Sequence, residues 1–154
     1  MSHALAAIFH GPQAPLELKP LALPRLKPHE LLVKVDACTL CGSDLHSYSG
    51  KRQVPSPTIL GHEILGTIVE LGGGQPTTFD HQPLKLGDRI TWSIIANCGH
   101  CLHCTHDRPQ KCLTLFKYGH QALHDKHLLH GGLAEYCHLT AQTPVFLAPT
   151  TLSD

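Results

Sequence analysis

At 154 residues, 42% of them hydrophobic, the chain has the size of one domain that can bury a core without disulfides. Twelve Lys plus Arg balance twelve Asp plus Glu, with no block of like charge. That argues against nucleic acid or an acidic membrane surface as partner and leaves a small molecule as the expected ligand.

Residues 1–10 carry neither the basic start nor the apolar core of a secretory signal, and no apolar run approaches the roughly 20 residues of a membrane span, so a cytoplasmic location is expected. Residues 5–9 read as a short strand. At 33–37, Val33, Val35 and Ala37 alternate with Lys34 and Asp36, the period-two pattern of a half-buried strand. Residues 41–48 predict a short helix capped by Ser43, whose hydroxyl can accept from the free N–H groups of a first turn. Strands are expected again at 67–71, 90–94, 133–139 and 145–147, while Gly72-Gly73-Gly74 and two prolines make 72–83 a loop. From Asn97 to about His130, four Cys, many His and few strand formers predict a lobe held by something other than apolar burial. Many short strands with little helix give a mainly β fold, a small barrel.

Seven Cys is an odd number, and in a reducing compartment clustered thiols point to metal more than to disulfides. Cys98, Cys101, Cys104 and Cys112 follow the spacing C-x2-C-x2-C-x7-C. Two-residue gaps let a tight turn aim successive thiolates at one point, and the longer gap returns the fourth from another side. Four protein sulfurs fill a zinc tetrahedron, so such a site would be structural. Metal-free buried thiols, disulfides and an iron–sulfur cluster are the rival readings. A ferredoxin run also starts C-x2-C-x2-C but continues after three residues with Cys-Pro, whereas here the gap is seven and Leu113 follows Cys112. Cys38 and Cys137 fall in expected strands and read as core thiols.

Cys41, Ser43, Asp44 and His46 place a thiol, a hydroxyl, a carboxylate and an imidazole within six residues, and His62 with Glu63 adds a second imidazole and carboxylate. A catalytic zinc keeps one position open for an oxygen ligand, so it needs fewer protein ligands than a structural one. Taken singly, each of these residues has a bland reading as an inert thiol or a solvated pair. Fourteen His are also less informative than their number suggests. His3, His10, His29, His81, His120, His124, His127 and His130 sit among polar or loop-forming neighbours and read as solvated surface. Only His46 and His62 have informative neighbours.

The ordered motifs Cys41-Gly42-Ser43-Asp44-Leu45-His46, Gly61-His62-Glu63 through Gly66, Gly87-Asp88-Arg89, the four-Cys run and Gly131-Gly132-Leu133-Ala134-Glu135-Tyr136 cover nearly the whole chain. In that order they resemble the N-terminal catalytic domain of the zinc-containing medium-chain alcohol dehydrogenases. The resemblance implies a GroES-like barrel over residues 1–154, with a zinc lobe at about 97–130. It implies that Cys41 and His62 bind a catalytic zinc, with Glu63 an alternative or transient ligand and Asp44 orienting His62. Ser43 would accept the substrate hydroxyl proton, His46 would form the solvent end of that relay, and Ile94 would line the substrate pocket. Cys98, Cys101, Cys104 and Cys112 would hold a second, structural zinc. The implied reaction is zinc-assisted hydride transfer from a small alcohol or polyol to NAD or NADP. The wording at 91–94 and 116–120 is similar to a bacterial subgroup associated with phosphonate breakdown.

No Gly-x-Gly-x-x-Gly follows an expected strand. A nucleotide-binding Rossmann domain is therefore expected to be absent from these residues and to be supplied in cis or in trans. In members of the resembled family the third catalytic ligand lies shortly after a Pro-containing segment such as 149–154, and a homo-oligomer is compatible with the resemblance. A reading from another class is a stand-alone, non-catalytic zinc-binding or interaction module with an apolar face for a partner.

Overall fold

The computed structural model describes residues 3–124, 127–149 and 151. Strands β1 (His3–Ile8) and β2 (Glu17–Ala22) form an antiparallel hairpin with Ile8 opposite Glu17. They are followed by β3 (Leu31–Thr39), α1 (Gly42–Tyr48), β4 (Glu63–Leu71), β5 (Arg89–Trp92) and β6 (Ile95–Ala96). Next come α2 (Leu102–Thr105), a 3-10 turn at Pro109–Lys111, β7 (Phe116–Lys117), β8 (Tyr136–Leu139) and β9 (Val145–Leu147). The main sheet is antiparallel in the order β8-β3-β4-β5-β9, and β6 pairs with β7 at the root of the cysteine-rich segment. No helix among the described residues is long and apolar enough to cross a membrane.

Two apolar clusters fill the interior. Leu31, Val33, Ile64, Ile68, Ile90 and Trp92 belong to one, beneath the main sheet, and Ala4, Ala6, Ile8, Leu21, Ile59 and Leu129 form the other under the hairpin. The alternation expected at 33–37 holds only to Val35: Leu31, Leu32 and Val33 form a continuous buried run, and Asp36 and Ala37 are both exposed. A central strand with partners on both edges can bury both faces. Register slips between Val35 and Ala37 as β3 pairs with β4, so Asp36 stands out of the ladder; its carboxylate accepts from the Thr67 hydroxyl at 2.6 Å.

Several elements differ from the sequence reading: β4 begins at Glu63 rather than at residue 67, and β6, α2 and β7 were not expected. β2 was not expected, because Glu17, Lys19 and Pro20 break the strand pattern; it pairs only with β1, and an edge strand tolerates proline. The expected strand at 90–94 stops at Trp92, where Ser93 turns the chain and its Oγ accepts from Ile95 N at 3.2 Å. The expected strand at 133–139 is divided: Ala7 N bonds Leu133 O and Glu135 N bonds Leu5 O, and only Tyr136–Leu139 joins the main sheet.

Apolar burial resumes earlier than expected within 97–130. Neither α2 nor the 3-10 turn has a buried residue, whereas Tyr118, Leu129, His120 and His130 are all buried. The segment without a core of its own thus ends near Leu115. His120 and His130 are a correction to their reading as solvated surface, because the chain returning from the lobe passes under the sheet. Tyr118 secures that return. Its hydroxyl lies 2.6 Å from Thr143 Oγ1 and accepts from Thr140 N at 3.0 Å. Nearby, the buried Glu30 carboxylate accepts from Lys27 N and sits 3.0 Å from His138 Nε2, which pairs a charge that burial alone would disfavour.

His130 is 1% exposed, and neither ring nitrogen has a hydrogen-bond partner among the described residues. Burial therefore favours the neutral ring and holds its pKa down at about 4, from an ordinary 6.5. Between those values the unfolded chain binds the proton and the native chain does not. Stability from this group is complete above about pH 6.5 and is lost as pH falls toward 4, by up to about 3 kcal/mol. Denaturant unfolding of His130→Leu between pH 7 and pH 4.5 should show a flatter dependence than wild type; parallel curves would mean that the acid sensitivity arises elsewhere.

Candidate functional site

The cysteine-rich segment brings Cys98, Cys101, Cys104 and Cys112 together, with all four Sγ atoms within 4.8 Å of one another. Individual separations are 3.5 Å for Cys101 to Cys104, 3.5 Å for Cys98 to Cys112 and 4.0 Å for Cys98 to Cys104. Sulfurs at about 2.3 Å from a tetrahedral zinc stand about 3.8 Å apart, so the spread brackets the value such an ion requires. A disulfide needs about 2.05 Å, and all four thiols are free.

Backbone donors favour the anionic form of two of these sulfurs, Cys101 and Cys112. Cys98 N donates to Cys112 Sγ at 3.3 Å and Cys101 N to Cys98 Sγ at 3.4 Å. The donor from Cys98 is the chief reason that Cys112 is lowered to about 6, and donors from Leu113 and Cys104 lower Cys101. Cys104 is pushed up to about 12 by desolvation and by its neighbouring sulfurs. Four sulfurs this close can all be thiolates only with a cation among them, and the donor set fits zinc.

The second group is assembled by Asp44. Cys41 occupies the N-cap of α1, which corrects the expectation that Ser43 would. The structural reason is Asp44 at the third helical position, whose Oδ2 accepts from Cys41 N at 3.0 Å. Its other oxygen accepts from Gly61 N at 3.1 Å, and Asp44 is 2% exposed. Gly61 has φ +87°, and a Cβ there would come within 2.7 Å of Cys38 Sγ, so the turn into β4 needs glycine. Asp44 thus ties the start of α1 to the loop that carries His62.

The result is that Cys41, His62 and Glu63 offer ligand atoms within 4.8 Å of one another. His62 Nδ1 is buried and faces Asp44 Oδ1 at 3.5 Å, a contact too long for a hydrogen bond, and Nε2 lies 3.4 Å from Ser43 Oγ. With Nδ1 sealed, Nε2 is the nitrogen that can serve a ligand. Glu63 is exposed and its Oε2 accepts from Thr39 Oγ1 at 2.6 Å; this bond, then Cys41 and His62, keeps its pKa below the usual carboxylate value. The thiol, imidazole and carboxylate fit a borderline divalent metal such as zinc.

A cavity of about 670 Å³ opens beside these residues, lined by His62, Glu63, Thr91, Trp92, Ile94 and Leu147 among others. Ile94 is thus on the wall of the cavity that His62 and Glu63 also line. His46 is exposed one turn beyond Ser43 on α1. Cys137 is fully buried and Cys38 half-buried, with burial raising both thiols, Cys38 to about 11. Two neighbours were missed from sequence. Thr39 carries no motif signal, and His120, whose ring centroid is 4.7 Å from that of His62, was hidden among the other histidines.

The family whose model matches residues 27–150 is described as the alcohol dehydrogenase GroES-like domain. An alcohol dehydrogenase of Geobacillus stearothermophilus is 35% identical over 152 residues, covering 96% of this chain and 41% of that protein. The crystal structure of an alcohol dehydrogenase from Thermotoga maritima matches with a TM-score of 0.86 at 28% identity, covering 98% of this chain and 42% of the other. A dehydrogenase from Sinorhizobium meliloti 1021, described as zinc-binding and bound to NADP, matches with a TM-score of 0.76 at 30% identity, covering 99% and 40%. The chain spans about two fifths of the length of these relatives. On the extent of these matches and on the order of its motifs, the chain belongs to the alcohol dehydrogenase GroES-like domain family.

Proposed function

We propose that the chain is the zinc-carrying catalytic domain of an NAD(P)-dependent alcohol dehydrogenase that oxidises a small alcohol or polyol. It works with a nucleotide-binding domain supplied in cis or in trans. The observation that carries this reading is the meeting of Cys41, His62 and Glu63 at the edge of a cavity that Ile94 also lines. The Sinorhizobium relative bound to NADP supports a nicotinamide as hydride acceptor, either NAD or NADP.

Cys41 and His62 hold the catalytic ion, with Glu63 an alternative ligand, while Cys98, Cys101, Cys104 and Cys112 hold a structural one. A zinc ion held by Cys41 and His62 would supply Lewis acidity toward an alcohol oxygen. Ser43 Oγ, 3.4 Å from His62 Nε2, accepts the substrate hydroxyl proton as its own proton leaves toward solvent, and His46 forms the outer end of that path. A nicotinamide held by the nucleotide-binding domain would accept the hydride whose loss turns the alcohol carbon into a carbonyl carbon. Asp44 presents a carboxylate oxygen toward His62 Nδ1, and Ile94 with Trp92 and Leu147 gives the substrate an apolar wall.

Metal analysis of the purified protein should find two zinc ions per chain. Replacing all four lobe cysteines with serine should remove one of them, and unchanged zinc content would sink the structural assignment. Asp44→Asn should weaken zinc retention at the Cys41 site by about 10–100-fold in chelator competition and destabilise the fold by about 1–3 kcal/mol, since an amide cannot accept from both Cys41 N and Gly61 N while facing His62. With the nucleotide domain present, alcohol-dependent reduction of NAD or NADP should vanish in Cys41→Ser. If the wild-type protein reduces neither nicotinamide with any small alcohol or polyol, the stand-alone zinc-binding module is the better reading.

A further inference from the structure

Tyr118, Gly119 and His120 have no role in the proposed reaction, yet they form a wedge against His62. Tyr118 is completely buried and its hydroxyl is bound to Thr143 and Thr140. Gly119 has φ +69°, and a Cβ there would approach Gly61 O to 2.6 Å and His62 Cβ to 3.2 Å, so this backbone lies directly on the His62 loop. Gly119 N also bonds His130 O at 2.8 Å, which pins the turn from its other side.

His120 then projects from a fixed base. It is 9% exposed, and its Nδ1 lies 3.2 Å from the Tyr118 carbonyl oxygen. Its ring meets the His62 ring edge to face, at a centroid separation of 4.7 Å and an interplanar angle of 83°. By contrast, the polar contacts of His62 are long, 3.5 Å to Asp44 and 3.4 Å to Ser43. Bonds of that length orient an imidazole weakly. A second ring packed against it blocks the broad rotation open to a terminal sp2 group.

We propose that His120 is a positioning residue that holds the His62 imidazole edge-on, so that Nε2 faces the space shared with Cys41 and Glu63. This rests on the reading of those three residues as metal ligands. His120 touches no reacting atom and works only through His62. The fixed Tyr118 anchor makes the brace stiff, and the missing Cβ at Gly119 lets it come close.

Cobalt titration of the purified protein in competition with a chelator tests the brace independently of catalysis. His120→Phe keeps the ring and gives up the polar anchor, while His120→Asn keeps an anchor toward Tyr118 O and gives up the ring. Wild type and His120→Phe should bind the second cobalt equivalent within about threefold of each other, and His120→Asn about 10–100-fold more weakly. The four-cysteine equivalent should be unchanged in all three, and far-ultraviolet circular dichroism reports that the barrel itself is folded. His120→Leu, apolar and ringless, should repeat the asparagine result and serves if the amide disturbs folding. His62→Ala should abolish the second equivalent in every background. If His62→Ala leaves it intact, or wild type takes up only one cobalt, the ligand reading falls and the brace falls with it. If His62→Ala abolishes it but the ringless variants bind as wild type does, or His120→Phe is weakened as much as they are, only the brace is overturned.

Discussion

A single buried carboxylate sets the layout of the candidate site. Asp44 accepts from Cys41 N with one oxygen and from Gly61 N with the other, and so joins two segments that the chain separates by a helix and a long loop. Buried carboxylates are costly unless their lone pairs are satisfied, and these two backbone donors satisfy Asp44 at the point where α1 meets the entry to β4. Cys41 and His62 are brought near each other as a consequence. The same side chain faces His62 Nδ1, so the group that assembles the site also touches one of the side chains it gathers.

Around that junction the fold uses two kinds of cohesion. The strands are held by buried Ile, Leu and Val beneath an antiparallel sheet, with Tyr118 and the Glu30–His138 pair as satisfied polar ties. From Asn97 to Leu115 the chain buries almost nothing except Cys112, and Leu102 and Leu113 point into solvent. Convergence of four sulfurs takes the place of apolar area there.

Much of this was legible because it is written locally. The strand β3, the short β9 and the glycine loop after β4 each announce their presence within a few residues, and so do the Cys41–His46 and Gly61–Glu63 words. What the sequence hid was set by partners far along the chain. β2 exists because β1 offers it an edge, despite Pro20. His120 and His130 look like their exposed neighbours until Tyr118 draws that segment under the sheet. Cys41 takes the cap because Asp44 needs a backbone donor there, and Ser43 is left beside the His62 ring.

The division of cohesion also makes the cysteine lobe energetically separable from the barrel. With zinc on the four sulfurs as proposed, its folding free energy would depend on the concentration of a free ion rather than on buried area, and a chelator would act on one appendage as a local denaturant. Amide hydrogens of α2 and the 3-10 turn would then exchange in step with metal buffering, while those of β3 and β4 would keep their protection. Within one short chain, opening of one part is governed by solution chemistry and opening of the other by hydrophobic burial.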